Sequence, residues 1–538
     1  MRLFPAASAI ALLAGSPLAA QSAISSGDKA KSLEAIHSEA LIEQAKSGYA
    51  DAPVEERTVQ TRHSAAVDGR VLPYTATAGT LTIRDVAGKP KASIFYTAYT
   101  LEGAPSPSRP VMFFYNGGPG SASLWLRMGS FGPIRLQTGN PETIRPAPFN
   151  VGANPDTLLG ATDMVFIDAP GTGFSRPLGD AKGSDFYGVD QDADAFARAI
   201  IRYITKFDRW GSPKFLFGES YGTTRSGALA YQLEDRGVAL NGVVLLSSIM
   251  NYARRSPGLD RDYVNYLPSY AATAWYHHKM INPPATVEQA IAEARAFAQG
   301  PYVAALEKGQ TISPEERDAI ARQMSGLTGL SSDFIERANL RVDLSRFRKE
   351  LLRDRRQTVG RFDSRYTGID SDAAGDSPDY DASDTAITGA FIGTFSGYVM
   401  HDLGYQTNMP YRASASEEEG FKWDWSHKPP EARQPLTSPD TALDLATAMR
   451  INPYLKVLSL NGWYDMATPF FGTEYDLNHM MLEPPQQRNL EFRYYPSGHM
   501  VYLNPEALHA MRLDVARFVR EAVGEVRTAG PATPHKRP

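Results

Sequence analysis

The chain has 538 residues and a net charge of −5, with 42% hydrophobic and 21% charged residues. Such values fit one large α/β domain with an insertion, or two to three average domains, and they leave no basic footprint for nucleic acid or an anionic membrane. The lack of cysteine excludes disulfides, thiolate metal sites, a cysteine nucleophile and a lipid-attached N-terminal cysteine.

Met1-Arg2, the apolar run Ala6–Ala14 and the small residues ending at Ala20 form a signal-peptide pattern over residues 1–20, with cleavage after Ala20. The rival reading, a membrane anchor, needs about 20 apolar residues, and neither this run nor any later one is that long. The expectation is an exported protein without a membrane span, periplasmic or secreted from a bacterium. Residues 21–70 read as an N-terminal arm with a helical patch at Lys29–Lys46.

From residue 71 the period changes to strands. Tyr74–Arg84 and Ala92–Leu101 predict an antiparallel pair, and the continuous apolar run Pro110–Tyr115 predicts a strand covered on both faces. That run leads into Asn116-Gly117-Gly118-Pro119-Gly120. Thr162–Ile167 is a second such strand, ending at Asp168, and apolar spacing predicts a helix over Gln191–Phe207. Pro213–Gly227 holds a short strand, then Gly218-Glu219-Ser220-Tyr221-Gly222, then a helix, followed by a strand at Gly242–Ser247. Strands alternating with helices predict a mostly parallel sheet with crossover helices, and a serine between two glycines at the strand-to-helix turn makes the expected fold an α/β-hydrolase fold.

After about Tyr252 the alternation stops. Helical patterns at Thr286–Ala298, Pro314–Ser325, Ser332–Leu340 and Asp343–Arg353, then an acidic and aromatic stretch to Pro430, predict a mainly helical cap insertion over 253–440. The first part of the core is then 71–252 and the second 441–526, with strands at Leu455–Leu460 and Glu491–Tyr495. Pro505–Val523 is a closing helix, and 527–538 reads as a disordered tail.

A serine between two glycines at a strand-to-helix turn is a nucleophile elbow: the turn exposes the hydroxyl, and the next N–H points to where an oxyanion forms. Acyl transfer then needs a base and a carboxylate to orient it, in chain order serine, acid, histidine. Asp465 and His499 each follow a late strand, and His499 also lies in a Gly-His turn before the closing helix. Asp168 ends a strand too, but it precedes the serine; a structural hydrogen-bonding role suits it better. Asn116–Gly120 reads either as a plain glycine turn or as a loop that presents the Gly118 N–H to the oxyanion beside the Tyr221 N–H.

The blocks NGGPGSAS (116–123), FIDAPGTGFS (166–175), GESYG (218–222), NGWYD (461–465) and SGHMVYLNPEAL (497–508) together resemble the serine carboxypeptidase family. The resemblance implies Ser220 as nucleophile, Asp465 and His499 completing the triad, Gly118 and Tyr221 as oxyanion hole, and a helical insertion shaping the pocket. It also implies that Asn116 and Glu219 hold the substrate's C-terminal carboxylate. A second glutamate, which would share a proton with Glu219, is expected before Gly132-Pro133; this chain has Ser130 there. Losing one acid of a like-charged pair predicts weaker carboxylate recognition and a pH optimum nearer neutral.

Arg127 is either a replacement cation or a surface arginine, the latter favoured. The acidic run Asp370, Asp372, Asp376, Asp379, Asp381 and Asp384 lacks calcium-loop spacing and reads as a solvated loop. Phe391, Phe395, Tyr398, Tyr405, Tyr411, Trp423 and Trp425 line a pocket or form the cap's own core. The expected activity is a serine carboxypeptidase acting through an acyl-enzyme, with no metal or organic cofactor and a peptide or small acyl substrate. Two rivals are an esterase, amidase or acyltransferase on the same triad, and a catalytically silent binding protein on the fold. The oligomeric state is open, a homodimer included.

Overall fold

The strands that read as unbroken apolar runs lie mid-sheet, because only a strand covered on both faces buries every side chain. The computed structural model describes residues 52–104, 108–418, 420–430 and 432–524; the signal-peptide pattern, most of the N-terminal arm and the tail 527–538 fall outside them. Its strands are β1 (Thr58–Val67), β2 (Arg70–Arg84), β3 (Pro90–Leu101), β4 (Val111–Tyr115), β5 (Ile134–Leu136), β6 (Val151–Ala153) and β7 (Asp163–Ile167). They continue with β8 (Arg176–Pro177), β9 (Lys214–Glu219), β10 (Gly242–Leu246), β11 (Thr358–Val359), β12 (Thr367–Gly368), β13 (Lys456–Gly462) and β14 (Leu490–Tyr495).

The main sheet runs β1-β2-β3-β7-β4-β9-β10-β13-β14, with β8 beside β3. From β7 to β14 every pairing is parallel, whereas β1, β2, β3 and β7 pair antiparallel. This is the α/β-hydrolase architecture. Residues 58–67, expected within the N-terminal arm, form the edge strand β1 instead. One side of β1 is exposed and polar, so its period-2 signal carries little apolar contrast.

Successive strand residues feed two different cores, as the pleat requires. Met112, Phe114, Phe166, Phe217 and Leu458 point to the face covered by α1 (Leu124–Gly129) and by the late helices described below. Phe113, Val165, Leu216, Val243 and Leu245 point to the face covered by α2 (Val189–Lys206) and α3 (Tyr221–Asp235). Between β10 and β13 run α4 (Arg261–Tyr276), α5 (Val287–Phe297), α6 (Pro314–Thr328), α7 (Thr388–His401) and α8 (Ala442–Ile451); α9 (Pro505–Ala522) closes the chain. α4, α5 and α6 build a third core of their own around Leu267, Tyr270, Ala290 and Met324. α4 carries Pro268 in its interior, a residue that breaks the helical pattern in sequence.

α7 behaves differently from the helices before it. Phe391, Phe395, Tyr398 and Tyr405 join the sheet's own core rather than a cap core, and Tyr411 packs at its margin. Trp423 and Trp425 go elsewhere, against Tyr221. The seven aromatics thus divide between sheet cover and the surroundings of Tyr221, an outcome that composition alone could not resolve. The acidic loop is anchored by the buried Lys349, whose Nζ donates to Asp370 Oδ2 at 2.5 Å and to the Asp372 carbonyl at 2.8 Å. Among the described residues no cluster of three or more His, Cys, Asp or Glu could hold a metal. None of the described helices is long and apolar enough to cross a membrane.

Candidate active site

β9 ends at Glu219 and α3 begins at Tyr221, so Ser220 alone makes the turn, with φ +60° and ψ −129°. Left-handed φ is disfavoured for a residue with a Cβ, and here it is over-determined by packing. The Ser220 N–H donates to the Leu246 carbonyl at 3.0 Å, and its own carbonyl accepts from Thr223 N at 2.8 Å. Gly218 has no room for a side chain: a Cβ there would lie 2.3 Å from the Gly222 carbonyl. The Ser220 hydroxyl is half-buried and makes no hydrogen bond among the described residues, leaving it free at the mouth of the elbow.

The Asn116–Gly120 turn leaves β4 directly over this elbow. A Cβ on Gly117 would stand 2.4 Å from Tyr221 N and 2.6 Å from Gly222 N, so two backbones touch where the helix starts. Gly118 follows with φ +104°. The turn is held from below by Arg225, whose Nη1 donates to the Asn116 carbonyl at 2.7 Å while the same guanidinium pairs with buried Asp192 at 2.7 Å. Helix-start N–H groups at Tyr221 and a glycine turn above them suit stabilisation of an oxyanion.

β13 and β14 deliver the remaining groups. Asp465 is 1% exposed. Its Oδ1 accepts from Ala467 N at 2.8 Å and Thr468 N at 3.0 Å, and its Oδ2 lies 2.8 Å from His499 Nδ1. The Thr468 hydroxyl lies 2.8 Å from Asp465 Oδ2 and from the Ser247 carbonyl, and 3.1 Å from His499 Nδ1. Ser247 Oγ in turn donates to the His499 carbonyl at 2.6 Å. Because Ser247 immediately follows β10, and β10 also holds Ser220 N, both the serine and the histidine are anchored to one strand end.

Two supports for His499 come from the insertion. The Phe362 ring stacks on the imidazole at 5.1 Å, and His499 N donates to the Phe362 carbonyl at 2.6 Å. The segment is pinned in turn by Ser364 N donating to the Tyr464 carbonyl at 3.0 Å and Arg365 Nη1 donating to the Pro496 carbonyl at 3.0 Å. No sequence pattern marked Phe362; its role follows from tertiary contact alone.

Glu219, beside Ser220, is 3% exposed. Asn116 Nδ2 donates to Oε2 at 2.9 Å, and the Tyr502 hydroxyl lies 3.0 Å from Oε2 and 3.3 Å from Oε1. Burial pushes the Glu219 carboxyl up to about 7, partly offset by the charge of His499 and by the Tyr502 and Asn116 hydrogen bonds. Tyr502 stands three residues after His499, so its bond brings the histidine loop against the elbow. Ser130 does not take part: its hydroxyl donates back to the Leu126 carbonyl at 2.6 Å. The Tyr502 ring passes over neighbouring Gly129, where an added Cβ would meet it at 2.5 Å.

Asp168 takes the structural role. Its carboxylate accepts from Ser123 N at 2.7 Å and Tyr411 OH at 3.1 Å, fixing the end of the glycine turn, and burial pushes it up to about 7. Arg127 corrects the surface reading. It is 1% exposed, its guanidinium lies 4.4 Å from the rings of both Tyr99 and Tyr398, and Nη1 donates to the Ile134 carbonyl. Cation–π contact lets a cation stay buried where no carboxylate faces it, and the sequence offers no sign of such a sandwich.

Residues 69–306 match the family model for serine carboxypeptidases. That stretch holds Asn116, Gly118, Glu219, Ser220 and Tyr221; Asp465 and His499 lie beyond it. Among curated proteins, the chain is 24% identical over 153 residues to serine carboxypeptidase S10 family member 1 of Dictyostelium discoideum, covering 28% of this chain and 33% of that protein. It is 25% identical over 166 residues to serine carboxypeptidase 1 of Hordeum vulgare, covering 30% of this chain and 31% of that protein. The matches therefore span about a third of those relatives' length. Among solved structures, a prohormone-processing carboxypeptidase from Saccharomyces cerevisiae superposes with a TM-score of 0.50 at 15% identity, covering 83% of this chain and 92% of that one. That likeness is one of fold.

Proposed function

We propose that this protein is an exported serine-type carboxypeptidase that removes C-terminal residues from peptides through an acyl-enzyme. The observation that supports the reading best is the linked set Asp465–His499 and Tyr502–Glu219, which carries the histidine loop onto the elbow of Ser220. In the acylation step Ser220 Oγ attacks the scissile carbonyl and its proton passes to His499 Nε2. Asp465 holds the imidazole in the tautomer that can accept it. The carbonyl oxygen becomes an oxyanion facing the N–H groups of Gly118 and Tyr221. Collapse of the tetrahedral adduct breaks the C–N bond, and His499 returns the proton to the departing amino acid. Water then repeats the sequence on the ester and frees Ser220.

Neutral Glu219 and Asn116 suit the substrate's terminal carboxylate, because a protonated carboxyl and an amide donate without repelling it. Export rests on the N-terminal pattern of residues 1–20. One observation favours a second reading, an esterase, amidase or acyltransferase on the same triad: Ser130 offers no acid to Glu219 and spends its hydroxyl on Leu126. Fluorophosphonate labelling lost in Ser220→Ala is expected of either hydrolase; a protein that never labels would be a silent binder. Blocked peptides with free and amidated C-termini then separate the two, and equal rates would defeat the carboxypeptidase reading.

A further inference from the structure

The histidine is flanked by positive charge that the triad chemistry does not use. Arg361 stands next to Phe362, and its guanidinium lies 5.2 Å from the ring that stacks on His499. Its backbone N–H is tied to Asp381 Oδ1 at 2.8 Å, while Asp381 Oδ2 accepts from Phe362 N at 3.3 Å. The half-buried Arg361 side chain makes no ion pair or hydrogen bond among the described residues. Arg255 lies close by: its Nη2 donates at 2.9 Å to the carbonyl of Ala467, two residues from Asp465, and its nearest carboxylate, Asp262, is 3.9 Å away. Arg254, by contrast, is neutralised by Asp476 at 3.1 Å and Asp262 at 3.3 Å.

Both loosely held guanidiniums act on the same two phenols. Burial raises Tyr252 and Tyr266, and Arg255 and Arg361, together with Arg254, pull against that shift. The Tyr252 ring packs on Trp425 at 4.8 Å, and Trp425 packs edge-on against Tyr221 at 6.1 Å. Arg361 and Arg255 therefore meet at the Asp465 turn, where the Arg361 carbonyl accepts from Met466 N at 3.1 Å and Arg255 holds the Ala467 carbonyl, on the flank of Tyr252. Glu219, Asn116 and Tyr502 mark the other flank. If the terminal carboxylate of the substrate lies at Glu219, the acyl side of the scissile bond meets the arginines.

We propose that Arg361, aided by Arg255, is a specificity-determining residue that selects an acidic side chain on the residue supplying the scissile carbonyl. The assignment of sides rests on the carboxypeptidase reading above; the charge preference does not. A carboxylate there would gain a charge-assisted bond from a guanidinium that makes no hydrogen bond or ion pair among the described residues, with the Asp384 charge acting on it from a greater distance.

The test uses the full-length Ser220→Ala protein, so binding is read without turnover, and the peptides acetyl-Ala-Glu-Phe, acetyl-Ala-Gln-Phe and acetyl-Ala-Phe-Glu. The expected result is that the first binds about tenfold more tightly than the second in low salt, narrowing to about twofold in 1 M NaCl as screening sets in. Arg361→Gln, added to Ser220→Ala, should bring that ratio to about one. Arg361→Glu should reverse it in favour of a lysine peptide. Binding of the glutamine peptide by each variant checks that the site is still folded.

An unchanged ratio in Arg361→Gln, no discrimination in the parent, or no binding of either peptide overturns the proposal. A preference confined to acetyl-Ala-Phe-Glu overturns the placement on the acyl side. Failure of the peptidase reading shows separately, as wild-type protein that cleaves no peptide while this binding ratio persists.

Discussion

Replacing Glu219 with glutamine separates a carboxyl that must be neutral from one that must be charged. Burial holds Glu219 at about 7, against an ordinary value of 4.5. If the neutral form receives the substrate's terminal carboxylate, each pH unit above 7 costs about a factor of ten in its occupancy. At pH 8.5 about 3% remains protonated, and KM for a free-acid peptide should stand about thirtyfold above its value at pH 6. Glu219→Gln cannot ionise, so its KM should stay flat across that range, and amidated or ester substrates should show no alkaline limb with either protein.

The same shift has a stability sign. A carboxyl whose folded pKa is raised stabilises the fold below its unfolded value and loses that contribution as pH rises through about 7. Between pH 5 and pH 8.5 the unfolding free energy of Glu219→Gln should therefore gain on wild type by up to about 3 kcal/mol. Tyr502→Phe removes a donor to the ionised form, so its alkaline limb should move up by about one unit. The assays are kcat and KM from pH 5.5 to 9 on paired free and amidated peptides, with urea unfolding at both ends. An alkaline limb that survives unchanged in Glu219→Gln, or that appears equally with amidated substrates, would refute the reasoning.

Three further substitutions probe the surrounding frame. Gly117→Ala drives a Cβ against two backbone nitrogens at the start of α3 and should lower kcat by at least about 100-fold through displaced oxyanion donors; the assay is kcat on a protein whose melting curve stays cooperative. Phe362→Ala deprives His499 of its stacked ring, so kcat should fall by about tenfold with KM little changed. Buried His427 joins Asp190 at 2.6 Å to Asp444 at 2.8 Å. Burial alone would lower its pKa, but the two carboxylates outweigh it and raise it to about 9. That bridge is complete below pH 6.5 and lost as pH rises through 9, so wild type should lose about 2 kcal/mol more than His427→Gln between pH 7 and pH 10.

The parallel half of the sheet was legible because buried strands such as VMFFY and DMVFI admit only apolar residues, and the elbow because its glycines answer a steric need that leaves a mark in sequence. Asp465 and His499 were legible through chain order and their positions after late strands. The edge strand β1 was not, since its half-exposed polar face resembles an ordinary surface arm. Phe362, Tyr502 and the Arg127 sandwich were equally hidden: each meets at least one partner more than a hundred positions away in the chain, respectively His499, Glu219 and Tyr398, and no local spacing records such a meeting. Ser130 illustrates the asymmetry, for its identity announced a missing acid while only packing revealed that Tyr502 reaches Glu219.

The insertion meets the candidate site at two separate points, Phe362 against the His499 imidazole and Trp425 against the Tyr221 ring. An appendage that merely covered a cleft could be trimmed away to leave a minimal, broader-acting catalyst. Here excision would strip His499 of its backing and the elbow of its flank together, so a shortened derivative should be inert even with every residue of the proposed triad retained. Diversification of this scaffold is accordingly a matter of exchanging residues within the excursion rather than exchanging the excursion itself.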